Sequence, residues 1–166
     1  MKKVKRRSLL QLGALSGVTT GLTMSTTGLS MTPDPVHGAI DGGVKEYVRL
    51  GRTGFQVSDV SFGSFPLQHG DERVVLHAMD RGINYFDTAE SYGEGVSEEV
   101  MGKALKGGRR KSVKLATKIF AGGSTSASSM MARLDACLKR LQTDYIDVFF
   151  NHAVNDIRRL QNPEWL

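Results

Sequence analysis

Cysteine is all but missing from this chain. Cys137 is the only one in 166 residues, so no internal disulfide and no cysteine-based zinc site can hold the fold together. Histidine is scarce too. His37, His69, His77 and His152 are the four present, no two of them have metal-ligand spacing, and no metal site is expected. No apolar run reaches the roughly 20 residues that a membrane span needs. The longest, from Leu9 to Met24, is diluted by Gly, Thr and Ser, and no stable span is expected. Acidic residues are nearly absent from the N-terminus: residues 1–40 hold Asp34 against five Lys and Arg, so most of the formal net charge of +5 sits there. The remainder is close to neutral, which argues against nucleic acid as a partner. Arg109-Arg110-Lys111 reads as a solvated turn. Composition is otherwise that of a folded globular protein, with 40% hydrophobic and 23% charged residues.

The first thirty residues have the plan of an export signal. A basic start is followed by a weakly apolar stretch and then small polar residues. Arg6-Arg7-Ser8-Leu9-Leu10 resembles the twin-arginine motif of bacterial signals that export folded proteins. A general secretion signal or a lipid-surface anchor is the plainer alternative. The expectation is a periplasmic or otherwise exported protein handled by the twin-arginine machinery, cytoplasmic if the signal is not used. Residues 31–44, with Pro33, Pro35 and several glycines, read as a linker.

From Tyr47 onward the pattern is regular. Tyr47–Leu50 and Phe55–Val57 flank a Gly-bearing turn and predict a hairpin. Val60–Phe62 is a short strand. Asp71 can cap a helix to Arg81, with Gly82 as its stop. Strand Ile83–Asp87 follows, then a helix capped by Ser97 to about Lys106, strand Val113–Lys118, helix Met130–Leu141 capped by Ser128 or Ser129, and strand Tyr145–Phe150. Cys137 falls at helical spacing with Met130, Leu134, Leu138 and Leu141, which makes it a small core residue. Strands alternating with helices imply a parallel sheet. Asn162-Pro163-Glu164 reads as the start of a further helix.

Four polar residues stand at or just beyond these strand ends: Asp87, Tyr92, Lys118 and His152. That is the working layout of a (β/α) barrel enzyme. A carboxylate, a phenol, an ammonium and an imidazole form an acid/base set. Alternation puts Asp87 and Lys118 on the same kind of strand face. Their pairing would keep the lysine charged, and the lysine beside Tyr92 would favour phenolate. A phenol so placed can protonate a carbonyl oxygen, while His152 could orient the same oxygen. Singly, each residue has a blander reading as a cap, a solvated lysine or an exposed tyrosine.

Gly82 to Gly93, with Asp87-Thr88-Ala89-Glu90-Ser91-Tyr92-Gly93 at its heart, resembles the first signature of the aldo-keto reductases. Leu141 to His152 resembles the segment leading to that family's catalytic histidine, and Leu115-Ala116-Thr117-Lys118 the strand bearing its lysine. Tyr47 to Gly54 looks like the hairpin that plugs the barrel floor. The resemblance implies a (β/α)8 barrel that reduces aldehydes or ketones with NADPH. By it, Tyr92 is the general acid, Lys118 and Asp87 tune it, and His152 positions a small-molecule carbonyl substrate. Gly63 and Ser64, together with Asp87, match the loop and strand end near the nicotinamide. Phe65 and Phe120 become pocket walls or core residues.

A (β/α)8 barrel takes roughly 250 residues. Residues 45–166 hold the hairpin and about four βα units, so they read as a truncated N-terminal half barrel that keeps the tetrad and lacks most of a cofactor site. The inward face of those strands, with Tyr85, Ala116, Val148 and Phe150, would then be exposed. A metal-dependent barrel hydrolase is a rival that the histidine spacing disfavours. A redox-sensing or regulatory subunit of the same fold, or an inactive fragment, is the non-enzyme alternative.

Overall fold

The computed structural model describes residues 4–5 and 43–165. The expected signal and linker lie outside it apart from Val4–Lys5 (β1) and residues 43–44. Val4 and Lys5 pair antiparallel with Ile146 and Tyr145.

The hairpin is present. Tyr47–Arg49 (β2) pairs antiparallel with Gln56–Ser58 (β3), Tyr47 opposite Ser58. It docks through side chains on residues 82–84, which lead into the strand Tyr85–Asp87. Tyr47 OH donates to the Gly82 carbonyl at 2.7 Å. Asn84 Oδ1 accepts from Ser58 N at 2.7 Å, and Asn84 Nδ2 donates to the Gln56 carbonyl at 3.1 Å.

Phe62–Gly63 (β4), Tyr85–Asp87 (β5), Lys114–Ile119 (β6) and Val148–Asn151 (β8) form one sheet in the order β4-β5-β6-β8, every neighbour parallel. Glu72–Asp80 (α1), Val96–Ala104 (α2) and Ala127–Arg140 (α3) connect them. Register alternation sorts the side chains. Phe86, Leu115, Thr117 and Ile119 turn toward the helices and are fully buried. Phe86 packs there with Val75, Val100, Met101, Leu134 and Ile146. Each large apolar side chain so buried contributes roughly 1.5–3 kcal/mol. On the opposite face, Gly63, Asp87 and Ala116 align across β4, β5 and β6. Lys118 aligns with Phe150 two residues further along. Of the four residues expected to be exposed, only Phe150 is, at 41%; Tyr85 and Val148 are half-buried and Ala116 is fully buried. A methyl group between larger neighbours is covered by them.

Three local expectations are corrected. The strand expected at Tyr145–Phe150 is two strands, Tyr145–Ile146 (β7) and β8, broken at Asp147. The buried Asp147 carboxylate accepts from Leu115 N at 3.0 Å and from Arg110 Nη2 at 2.8 Å. It thereby draws the chain toward β6 and out of regular pairing. Ser97 does not cap α2. Gly95 does, at φ +98°, and Ser97 is the second residue of the helix, fully buried. The α3 cap is Ser126, which accepts from Ser129 N at 3.3 Å, so this helix starts three residues earlier than the apolar pattern indicates.

Candidate active site

Parallel register delivers Asp87 and Lys118 to the same end of the sheet. Lys118 Nζ donates to Asp87 Oδ2 at 2.6 Å and to the Thr88 carbonyl at 2.9 Å, and it stands 3.1 Å from Tyr92 OH. Three bonds satisfy the three protons of an ammonium. The ion pair is largely shielded, with 14% of the lysine and 28% of the aspartate side chain exposed.

Tyr92 reaches this point because of an unusual turn. Gly93, Glu94 and Gly95 all have positive φ, at 57°, 55° and 98°. Glycine adopts that region freely and Glu94 does not. The three left-handed residues fold the chain back from the end of β5 into α2, with Tyr92 on the inside of the bend.

His152 follows β8, held by its N–H to the Ile119 carbonyl at 2.8 Å. Its ring meets the Tyr92 ring edge-on at 5.7 Å and stacks on Phe120 at 4.6 Å. Nδ1 lies 3.4 Å from Ser91 Oγ. Burial holds its pKa below the ordinary imidazole value, the Lys118 charge adds to this, and Asp87 opposes it. The neutral ring is therefore the favoured form near neutral pH.

All four expected residues thus come together. Phe65 stands edge-on to Tyr92 at 5.2 Å and is 71% exposed, and Phe120 is 41% exposed. Both are exposed beside Tyr92 or His152 and are not core residues. Gly63 is open above its Cα, where a Cβ would meet nothing within 4 Å. Ser64 is fully buried. Its hydroxyl accepts from Ser97 Oγ at 2.6 Å in a buried group with Thr88. Ser64 can border a cofactor only through its backbone, because its side chain is already partnered.

Two groups escaped the sequence reading. Glu90 and Arg133 form an ion pair beside Phe120. Glu98, in the first turn of α2, is fully buried. It accepts from Thr117 Oγ1 at 2.5 Å and from Arg140 at 2.7 Å. Cys137 lies against the same pair, and burial together with the Glu98 charge pushes its thiol up to about 12. It is a core thiol and not a nucleophile. An open groove of about 710 Å³ lined by Arg110, Lys139 and Tyr145 sits at the other end of the strands and holds none of the four residues. Among the described residues no cluster of three or more metal-ligating side chains occurs, and no helix is long and apolar enough to cross a membrane.

A profile of the aldo/keto reductase family matches residues 64–159. The chain belongs to the aldo/keto reductase family. It is 38% identical over 122 residues to a probable voltage-gated potassium channel subunit beta of Arabidopsis thaliana, covering 64% of this chain and 37% of that protein. Over 125 residues it is 36% identical to the probable aldo-keto reductase 1 of Glycine max, covering 65% and 36%. Among solved structures, an aldo-keto reductase of Klebsiella pneumoniae in complex with NADPH superposes with a TM-score of 0.59 at 32% identity, over 74% of this chain and 45% of that one. The holo form of an aldo-keto reductase from Bacillus halodurans gives 0.57 at 34%, over 63% and 39%. The chain therefore spans little more than a third of the length of these curated relatives. Its four parallel strands and hairpin are the first part of the family's (β/α)8 barrel.

Proposed function

We propose that this chain carries the proton-transfer half of a carbonyl reductase: an aldehyde or ketone is reduced with NADPH, and Tyr92 supplies the proton. The single observation behind this is the Lys118 ammonium, tied to Asp87 at 2.6 Å and to Thr88 and within 3.1 Å of the Tyr92 hydroxyl. When bound, NADPH supplies the hydride. The residues present fit the reactive end of such a cofactor: the open strand end at Gly63 gives room, and Asp87 and the Ser64 backbone border it. Tyr92 donates its proton to the carbonyl oxygen. Lys118 stabilises the phenolate that remains, and Asp87 keeps the lysine in place and charged. Neutral His152 offers a ring N–H to the same oxygen, fixing the carbonyl for attack.

Tyr92→Phe keeps the ring packed against Phe65 and His152 and removes only the hydroxyl. In a version that carries the whole barrel, NADPH-dependent reduction should fall by about 10² or more, the loss expected for a general acid, while NADPH binding is retained. Turnover near that of the parent would overturn the role. A redox-sensing regulatory subunit is the second reading, supported by the likeness to a protein named as a potassium channel subunit. NADPH binding with no turnover of any carbonyl by a version that carries the whole barrel would favour it.

We also propose that residues 1–30 direct export by the twin-arginine route, residues 31–44 link, and residues 45–166 form the barrel part. The support is Arg6-Arg7 before a weakly apolar stretch. Replacing both arginines with lysine should abolish periplasmic delivery of a fused reporter in a bacterial host, and unchanged delivery would exclude this route.

A further inference from the structure

We propose that Glu90 and Arg133 are positioning residues of this site: together they lock the Phe120 peptide and, through it, the plane of the His152 ring. The consequence for catalysis rests on the carbonyl-reduction reading above, but the positioning itself does not.

β6 ends at Ile119, and beyond it Phe120 has left the strand ladder. Its backbone groups are taken by side chains instead. Phe120 N donates to Glu90 Oε1 at 3.0 Å, and Arg133 Nη1 donates to the Phe120 carbonyl. The two bracketing side chains are bonded to each other. Arg133 Nε reaches Glu90 Oε2 at 3.0 Å, and Nη2 reaches Oε1. This is a two-pronged guanidinium–carboxylate pair, and such pairs add directional rigidity as well as energy. It is not a free surface pair, since 16% of the glutamate and 33% of the arginine side chain is exposed. Glu90 is also anchored to the reactive end of the sheet, its N–H donating to the Lys118 carbonyl at 3.1 Å.

Ile119 and Ala121 on either side are held by His152 N and by Asn151, so without this bracket the Phe120 peptide would be the unpaired link between them and its ring would be less firmly held over His152. With it, the ring lies parallel to the imidazole within 23°. The other groups facing the imidazole are Ser91 Oγ, the Tyr92 ring edge, and the charges of Lys118, Asp87 and Arg159. Burial is the leading cause that holds His152 below the ordinary imidazole value. Loosening Phe120 would readmit water to that face and let the value rise.

The test is histidine proton NMR titration of the full 166-residue chain, with the His152 signal assigned by its loss in His152→Asn. In the parent, His152 should titrate below about 6.5. Glu90→Gln and Arg133→Met should both move it upward toward that value, and Phe120→Leu should do the same. Arg133→Lys keeps the charge but cannot bracket two partners, and should also shift the signal upward. Glu90→Gln should add nothing in a Phe120→Leu background, because its effect passes through that ring. Should Glu90→Gln fail to fold by circular dichroism, Arg133→Lys and Phe120→Leu decide by the same titration. An unshifted His152 in the folded variants, or additive shifts in the double variant, would overturn the proposal. NADPH-dependent turnover measured on a version that carries the whole barrel separates the two readings. Absence of turnover there removes the carbonyl-reductase reading and leaves the titration result standing.

Discussion

Replacing Arg140 with methionine tests whether the buried Glu98 pair stabilises this fold or merely ornaments it. Glu98 sits on α2 with its side chain fully buried, and Arg140 reaches it from α3 with both Nε and Nη2 at 2.7 Å from Oε2. The remaining carboxylate oxygen accepts from Thr117 on β6 at 2.5 Å. Methionine preserves most of the apolar stem and deletes the charge. One negative charge then stays buried with only the Thr117 hydroxyl and the Cys137 thiol beside it. Removing one member of a buried pair costs about 3–5 kcal/mol. Arg140 keeps 25% of its side chain exposed, so water can partly replace it, and the lower end, about 3 kcal/mol, is the better expectation. Against a total of about 5–15 kcal/mol this is a large fraction, and Tm should fall by roughly 10 °C. Urea unfolding followed by circular dichroism gives the number. Adding Glu98→Gln should restore most of the loss, since the amide oxygen still accepts from Thr117 and no charge is stranded. A loss below about 1 kcal/mol, the range of exposed pairs, or a double variant no better than the single, would refute the argument.

Two further outcomes follow from the same interface. A Cβ on Gly102 would meet the Arg140 carbonyl at 2.5 Å, and backbone cannot swing aside, so Gly102→Ala should destabilise by about 1–3 kcal/mol in the same unfolding experiment; an unchanged midpoint would show that α2 and α3 are not in this contact. The Cys137 thiol, pushed from 9.0 to about 12, should carry about 10³-fold less thiolate than an unperturbed cysteine below pH 9 and resist alkylation until the chain unfolds. Alkylation of the native chain at the rate of the urea-unfolded one would contradict its burial.

The parts of this protein readable in advance were those written within single segments. Alternation along Tyr85–Asp87 and Lys114–Ile119 decides which side chains share a strand face, and it does so whatever packs above them. Gly82, with φ at +89°, marks a helix end because few other residues turn there. Asp87, Tyr92, Lys118 and His152 could be picked out because each stands at or near a strand end, and parallel strands bring such ends together. What tertiary structure decided involves partners far apart in the chain. Glu98 meets Arg140 from 42 positions away, and the helix pattern around Glu98 is the same whether it faces water or α3. Glu90 and Arg133 are 43 positions apart, and nothing near either names the other. Asp147 is held at the strand break by Arg110, in the turn before β6, and by the Leu115 amide on β6. Ser64 and Ser97 turn inward because each supplies the other's hydrogen bond. A buried polar group must find its partner in space. Local sequence can show that such a group exists, but the packing of whole elements determines which partner it meets.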